Sequence, residues 1–168
     1  IVADKGDLLW LAGRHDEAIA LLKQLEATEP DFVSSHRYLK MVYFANEDYP
    51  SYLEEWKKEA TLMQDAASLK IVDAAQKGFA TAGAQGMLHN ILTLQKRLYA
   101  RGLESPYSLA ETDSLLGNKR EALQYLKIAY DKHDDSAVGL GTDSAFSNLR
   151  GDPAYTELSA RVGLPPRH

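Results

Sequence analysis

The sequence predicts an all-α chain of about four helix-turn-helix repeats followed by a C-terminal capping helix. A short pattern recurs about every 34 residues, and the apolar residues within it follow helical spacing. No segment alternates apolar and polar residues for long enough to predict a strand. We place the repeats at about 1–32, 33–66, 67–102 and 103–136 of a single domain, with the cap at 137–168.

The recurring pattern is clearest in LLWLAGRHDEAIALL, where a glycine separates two apolar runs. The segments FANEDYPSYLEEW and LLGNKREALQYL repeat it, and a weaker copy, ATAGAQGMLHNIL, lies between them. The residues at the joining position are Gly13, Glu47, Gly83 and Gly117. We expect each copy to form two helices joined there, with the glycines in the left-handed conformation that ends a helix.

Helix boundaries are also marked in the sequence. Apolar residues fall on one face of predicted helices at 15–27 and 119–130. Asn118 with Glu121 has the spacing of a capping box. Ser105-Pro106 and Asp152-Pro153 have the form of an N-cap followed by proline, and Asp143 is expected to cap a short helix at 144–150.

The recurring segments resemble a tetratricopeptide (TPR) repeat at several positions. In the first copy they are Gly6, Leu9, Gly13, Ala18, Ile19, Leu22 and Pro30. The second copy keeps Leu39, Tyr43, Tyr49, Leu53 and Trp56, and the fourth keeps Leu109, Ala110, Gly117, Ala122, Leu123, Leu126 and Ala129. The resemblance covers roughly residues 1–135. It implies an α-α superhelix, a TPR solenoid, that acts as a non-catalytic protein-protein interaction scaffold.

The C-terminal segment sharpens this resemblance. Its matching residues are Asp143, Phe146, Leu149, Arg150, Gly151, Asp152, Pro153, Tyr155, Leu158, Gly163 and Leu164. They resemble the end of bacterial TPR domains that follow a winged-helix, kinase or cyclase module. The resemblance implies the interaction or sensing part of a larger bacterial regulatory protein, and the start IVADKGDLLW, without methionine, suggests a fragment or a processed chain. Phe146, Leu149, Tyr155, Leu158 and Val162 are expected to cover the exposed end of the last repeat.

In TPR domains the first helix of each repeat lines a concave groove. Carried onto this sequence, the tentative peptide-binding residues are Trp10, Arg37, Met41, Phe44, Asp73, Lys77, Tyr107 and Glu111. Met41 and Asp73 do not match the subtype that clamps a C-terminal carboxylate. The alternative is a sensory domain that binds a small ligand in the groove, in a pocket lined by Trp10, Phe44 and Tyr107.

Catalytic and metal-binding motifs are not evident, so we expect no enzyme activity, cofactor or metal site. His15-Asp16-Glu17 and Lys132-His133-Asp134-Asp135 contain metal-ligand residue types but lack a known ligand spacing, which favours structural or solvated roles. Glu54, Glu55 and Glu59 are predicted to form a solvated acidic helix face beside Lys57 and Lys58. GLGTDS has no preceding strand or Gly-Lys-Ser/Thr and is predicted to be a turn.

Composition limits the classes of partner. The net charge of −5 argues against a nucleic-acid-binding surface, so a protein or peptide partner is expected. The absence of cysteine excludes disulfides and zinc-thiolate sites. No apolar run reaches the roughly 18 residues of a membrane span, and no signal peptide is visible. The cytoplasm is favoured, or the periplasm if a membrane segment lies upstream.

Overall fold

The computed structural model describes residues 2–162, and within this range the chain is all-helical, with no strand. This confirms the predicted all-α class for the described residues. The α-helices are α1 (Val2–Leu11), α2 (His15–Thr28), α3 (Val33–Ala45), α4 (Tyr49–Leu62), α5 (Ala66–Tyr99), α6 (Pro106–Leu115), α7 (Lys119–Asp131) and α8 (Pro153–Arg161). Two short 3-10 helices, Asp135–Gly139 and Ser144–Leu149, lie between α7 and α8.

The predicted joins between helices have a positive φ angle. The φ angles are +76° at Gly13, +58° at Glu47, +59° at Gly83 and +80° at Gly117. The predicted positive φ is therefore confirmed at Gly13 and Gly117. Gly83 also has positive φ, but its ψ of −148° lies outside the left-handed helical region, so the helix-ending conformation predicted for it is wrong. Glu47 adopts a positive φ too. A side chain there costs about 1 kcal/mol relative to glycine, because Cβ approaches the following carbonyl oxygen.

The join at Gly83 interrupts α5. Ala82 has φ −146° and ψ 26°, so α5 consists of two helical segments, 66–81 and 84–99, joined by a tight turn. The segments approach closely just beyond this turn: a Cβ added to Gly78 would lie 2.1 Å from the carbonyl oxygen of Gly86. Only a glycine fits such a contact, which explains why this weakly matching copy is rich in small residues.

The chain divides into two compact units, the first ending at Gln76 and the second beginning at Lys77. In the first unit, α1 packs on α2, α3 on α4, and α3 also contacts α1 and α2. A Cβ on Gly6 would lie 2.7 Å from the Leu22 side chain, so this glycine lets α1 approach α2. One buried apolar cluster of this unit consists of Ala3, Leu22, Leu25, Leu39, Val42 and Tyr43.

In the second unit, α6 packs on α7, and the C-terminal segments cover this pair. The predicted covering residues Phe146, Leu149, Tyr155 and Leu158 are buried against both helices, and Val162 packs at the edge. Tyr107 contacts the Phe146 ring edge-on at 5.4 Å between centroids. Gly163 and Leu164, which belong to the same predicted pattern, lie outside the described residues.

The predicted N-caps are confirmed at three positions. The Ser105 hydroxyl accepts a hydrogen bond from the Tyr107 amide, Asp143 from the Ala145 amide and Asp152 from the Ala154 amide, at 2.8–2.9 Å.

The prediction of a capping box at the start of α7 is wrong, because Asn118 makes no side-chain cap and its amide instead donates to the Asp113 carboxylate at 2.9 Å.

None of the helices between residues 2 and 162 combines the length and apolar character required for a membrane span.

Candidate functional site

The first unit holds the predicted groove residues of α1 and α3. The two helices are linked by the Tyr38 hydroxyl, which donates to Asp4 at 3.1 Å. Arg37, Met41 and Phe44 follow helical spacing along α3, and Asp7 and Trp10 do so along α1. We call these five residues the α1/α3 face. Met41 is its exposed apolar group, with 54% of its surface accessible.

The two aromatic residues of the α1/α3 face are half-buried and in contact with other rings. Trp10 stacks on His15 with 4.0 Å between ring centroids. Phe44 contacts the rings of Tyr49 and Tyr52 edge-on, at 5.8 and 5.0 Å. Both side chains therefore stabilise their own helix pair and present only part of their surface.

Arg37 is also bound within the unit. Its Nε donates to Glu59 on α4 at 2.9 Å, and its Nη2 lies 3.7 Å from the Met63 sulfur. Lys40 donates to the other oxygen of Glu59. Burial alone would raise the pKa of Glu59, but Lys40 and Arg37 hold it below its ordinary value. The Arg37 guanidinium is half-exposed, so it keeps donors toward solvent.

The remaining predicted groove residues differ in exposure. In the first unit, Asp73 of α5 is exposed and pairs with Lys57 of α4 at 3.1 Å. In the second unit, Lys77 is exposed and Glu111 is half-buried. Tyr107 is only 5% exposed, and its hydroxyl donates to Asp143 at 3.1 Å. The prediction that Tyr107 lines a binding face is wrong, because the C-terminal segments cover its ring.

The predicted solvated acidic face on α4 is wrong for two of its three residues. Glu54 is exposed, whereas Glu55 and Glu59 are only 4% and 6% exposed. Their buried carboxylates are bound by basic side chains of α3 and α4. These two residues lie between helices, so the acidic run marks internal ion pairs rather than a solvated surface.

Glu55 belongs to a polar group that we call the His36 cluster: Glu26, His36, Glu55 and Lys58. His36 and Glu55 are buried, and Glu26 and Lys58 are partly exposed. His36 is 2% exposed, and its Nδ1 lies 2.7 Å from Glu55 Oε2 and 3.8 Å from Glu26 Oε1. Its Nε2 lies 2.7 Å from the carbonyl oxygen of Pro30. The cluster therefore joins α2, α3, α4 and the turn that follows α2.

Two carboxylates and a histidine are residue types that ligate metal ions, and their ligand atoms lie within 4.8 Å of one another. The position of a cation is taken, however, by the ammonium of Lys58. Lys58 Nζ donates to Glu26 Oε1 at 2.7 Å and to Glu55 Oε1 at 2.9 Å. This arrangement favours an internal ion-pair network over a metal centre, and the absence of a metal site stays a prediction.

A cavity of about 610 Å³ adjoins the His36 cluster in the first unit. Its lining residues are Glu26, Pro30, Asp31, His36, Pro50, Glu54, Lys57, Lys58, Thr61, Leu62 and Gln76. Carboxylates, two ammonium groups and two prolines make a mixed surface without a single charge character. None of the residues of the α1/α3 face lines it.

The two sequence clusters with metal-ligand residue types take structural roles. His15 stacks on Trp10, and Glu17 forms an ion pair with Arg14 at 2.6 Å. Asp134 caps the first 3-10 helix through the Ser136 amide at 3.0 Å and accepts from the Ser105 hydroxyl. The structural roles expected for His15 and Asp134 are confirmed.

Sequence reasoning missed the His36 cluster because its members are far apart along the chain. A usable signal was present: in a helix hairpin, residues equally distant from the join face each other. His36 and Glu55 lie 10 and 9 residues from Asn46, at the join of α3 and α4.

Comparison with protein-family models, with curated proteins and with solved structures finds no match to this chain.

Proposed function

We propose that this chain is a non-catalytic interaction module of the TPR type that binds a peptide segment of a partner protein on the α1/α3 face. The observation that carries the proposal is the recurrence of positive-φ joins at residues 13, 47, 83 and 117; further positive-φ residues, Gln64, Gly102 and His133, follow the second helix of a pair. At three of these joins, the helices on either side pack against each other. A TPR-like repeat presents the first helix of each pair for binding, as the sequence resemblance implies.

The chemistry of the α1/α3 face suits a peptide with both apolar and charged groups. Met41 offers an exposed, adaptable apolar side chain, and Arg37 beside it offers free guanidinium donors. Asp7 on α1 adds a carboxylate of opposite charge. A small apolar area surrounded by charges of both signs is typical of surfaces that bind partner segments.

The alternative, a small-ligand site lined by Trp10, Phe44 and Tyr107, has less support. Tyr107 is buried in the second unit, and the other two rings pack against His15 and against tyrosines. None of the three lines the 610 Å³ cavity. We therefore propose a bound peptide rather than a small ligand between these three rings.

The way the buried titratable groups of the first unit are used supports the proposal of a non-catalytic role. The buried acids Glu55 and Glu59 and the buried base His36 bind one another or neighbouring cations.

We extend the proposal to the whole protein: the module serves a larger bacterial regulatory protein of the cytoplasm, with a signalling domain as its neighbour.

The proposal is tested with peptides selected from a random displayed library on the full chain. Selected peptides are then titrated, by fluorescence polarisation, against wild type, Met41→Asp and Val138→Asp. Val138 is a matched control, because it is also an exposed apolar residue but lies in the second unit. We expect Met41→Asp to weaken binding at least tenfold and Val138→Asp to leave it unchanged.

Equal binding by Met41→Asp and wild type, or failure to select any peptide, contradicts the proposal. Because Met41 is largely exposed, its replacement changes stability by about 0.5 kcal/mol or less, so lost binding does not reflect unfolding.

A further inference from the structure

We propose that His36 is a proton-dependent clamp that holds α2, α3 and α4 of the first unit together when its ring carries two protons, and that loosens this junction when one proton leaves. The clamp is a conformational device built into the fold, independent of the proposed peptide binding. It follows from the positions of the atoms around the ring.

Both ring nitrogens of His36 face oxygen atoms that accept hydrogen bonds. Nε2 lies 2.7 Å from the Pro30 carbonyl oxygen, and Nδ1 lies 2.7 Å from Glu55 Oε2. A carbonyl and a carboxylate have no proton to give, and a neutral imidazole has a single N–H. Only the imidazolium donates to both. In the neutral ring, one nitrogen lone pair would face an oxygen at hydrogen-bond distance, and the His36 side chain is only 2% exposed.

A protonated Glu55 donating to a neutral ring would be the other way to fill the Nδ1 contact. Lys58 opposes it, because its ammonium lies 2.9 Å from Glu55 Oε1 and stabilises the charged carboxylate. The proton between the two side chains therefore belongs to His36.

The charged groups around the ring also favour the imidazolium. From α2 it faces Glu26, and from α4 it faces Glu55, whose second oxygen binds Lys58. Lys58 also contacts Glu54 at 3.1 Å. Within α3, Arg37 and Lys40 pair with Glu59, and Tyr43 is influenced by the charges of Glu55 and Glu26, with the Lys23 ammonium of α2 5.7 Å from the centre of its ring. Asp31 and Lys57 line the adjoining cavity with opposite charges, and α5 contributes the neutral Gln76.

Three carboxylates, of Glu26, Glu54 and Glu55, thus share one ammonium near His36. The imidazolium offsets part of the remaining negative charge, and its loss leaves buried Glu55 with Lys58 alone as a cationic partner. Deprotonation therefore weakens the His36–Glu55 contact between α3 and α4 or the hydrogen bond from His36 to the Pro30 carbonyl.

The direction of the pH effect follows from the environment of the ring. Burial alone would lower the pKa of His36, but the hydrogen bond to Pro30, then the bond to Glu55 and the charges of Glu55 and Glu26, raise it above its ordinary value. The folded state therefore holds this proton more tightly than the unfolded chain. The stabilisation is complete below the ordinary histidine pKa of about 6.5 and is lost as pH rises through the higher folded value.

The unfolding test uses the full chain and tryptophan fluorescence, because both tryptophans, Trp10 and Trp56, lie in the first unit. Urea unfolding is followed from pH 5.5 to 9 for wild type, His36→Gln and His89→Gln. His89 is exposed and serves as the matched control. Above the ordinary histidine pKa, the folding equilibrium constant of wild type and His89→Gln should fall by up to about tenfold per pH unit. His36→Gln should lack this component.

A second measurement does not depend on a variant. ¹⁵N NMR of the histidine rings in the wild-type chain should show both His36 nitrogens protonated at pH 6, with a titration midpoint above the ordinary histidine value of about 6.5. The proposal is overturned if one His36 nitrogen is unprotonated at pH 6, or if the three proteins share one pH dependence of stability. Should His36→Gln lack a folded baseline, the NMR result decides alone.

Discussion

The first and second units both build helix pairs with a positive-φ residue at the join, and both have an apolar core, but they bury different amounts of charge. In the first unit, His36, Glu55 and Glu59 are buried between helices and bound in ion pairs. In the second, the largest fully buried side chain is Phe146, the Tyr155 hydroxyl donates to the Leu140 carbonyl at 2.7 Å, and one described charged side chain, Asp113, is buried 3.7 Å from Lys96 Nζ. The first unit thus buries more charge than the second, so the two should respond differently to mutation and pH.

The largest expected effect lies in the apolar core of the second unit. Phe146→Ala removes a fully buried ring that contacts Tyr107 and Tyr155, and we expect it to lower the free energy of unfolding by about 4 kcal/mol. Amide hydrogen exchange in α6 and α7 measures the loss. Val138→Ala, at an exposed position, is the control and should change the same amides by about 0.5 kcal/mol or less. Unchanged exchange in Phe146→Ala would show that this ring does not hold the unit together.

In the first unit, the two adjacent glutamates Glu54 and Glu55 make a matched pair. Both contact Lys58, but only Glu55 is buried and bound to His36. Glu55→Ala leaves the buried His36 and the partly exposed Lys58 short of a partner, and we expect a loss of about 3 kcal/mol by tryptophan fluorescence in urea. Glu54→Ala should cost about 0.5 kcal/mol, as an exposed ion pair does. Similar losses from both variants would argue against a buried charge network.

Glu59 gives a smaller effect with the opposite pH dependence to that of His36. Glu59→Gln should cost about 1.5 kcal/mol at pH 7, because Arg37 and Lys40 lose a charged acceptor. Since the pKa of Glu59 is lowered in the folded chain, its contribution is complete above the ordinary value of about 4.3 and is lost as pH falls through the lower folded value.

The check on Glu59 is urea unfolding of wild type and Glu59→Gln at pH 7 and pH 3. The difference between the two proteins should shrink at pH 3. A difference that grows on acidification would show that the neutral carboxyl, and not the carboxylate, is the stabilising form.

The fold could be predicted from the sequence to a large extent, because its signals are local. A glycine at 13, 83 and 117 or an Asp-Pro pair at 152–153 acts on the backbone within a few residues, and the structure places a join or a cap at each. Asn118 with Glu121 failed because a more distant partner, Asp113, bound the asparagine amide.

The candidate site could be predicted only in part. Met41 was placed on the binding face by the resemblance to TPR groove positions, and it is exposed. Tyr107 was misplaced because its burial depends on residues 36 positions or more along the chain. Glu55 and Glu59 were predicted to be solvated because the sequence shows their cationic neighbours on α4. It does not show their partners on α3, which come close only when the helices pair.

The smallest expected effects come from the joins at Glu47 and Gly117, which hold equivalent positions in the helix pairs of the first and second units. Glu47→Gly should stabilise the first unit by about 0.5–1 kcal/mol, because glycine removes the cost of a side chain at φ +58°. Gly117→Ala should destabilise the second unit by about 1 kcal/mol at φ +80°. Thermal unfolding of both variants beside wild type checks the pair, and shifts of the same sign would contradict an equivalent turn geometry.

The most direct test of the proposed function is to map a bound peptide on the chain. The tightest peptide selected on the full chain is titrated into ¹⁵N-labelled protein, and the amide shifts are followed by NMR. We expect the shifts to concentrate in α1 and α3 around Asp7, Arg37 and Met41, and to weaken in Met41→Asp. Shifts confined to residues around the 610 Å³ cavity, such as Asp31 and Thr61, would contradict peptide binding on the α1/α3 face.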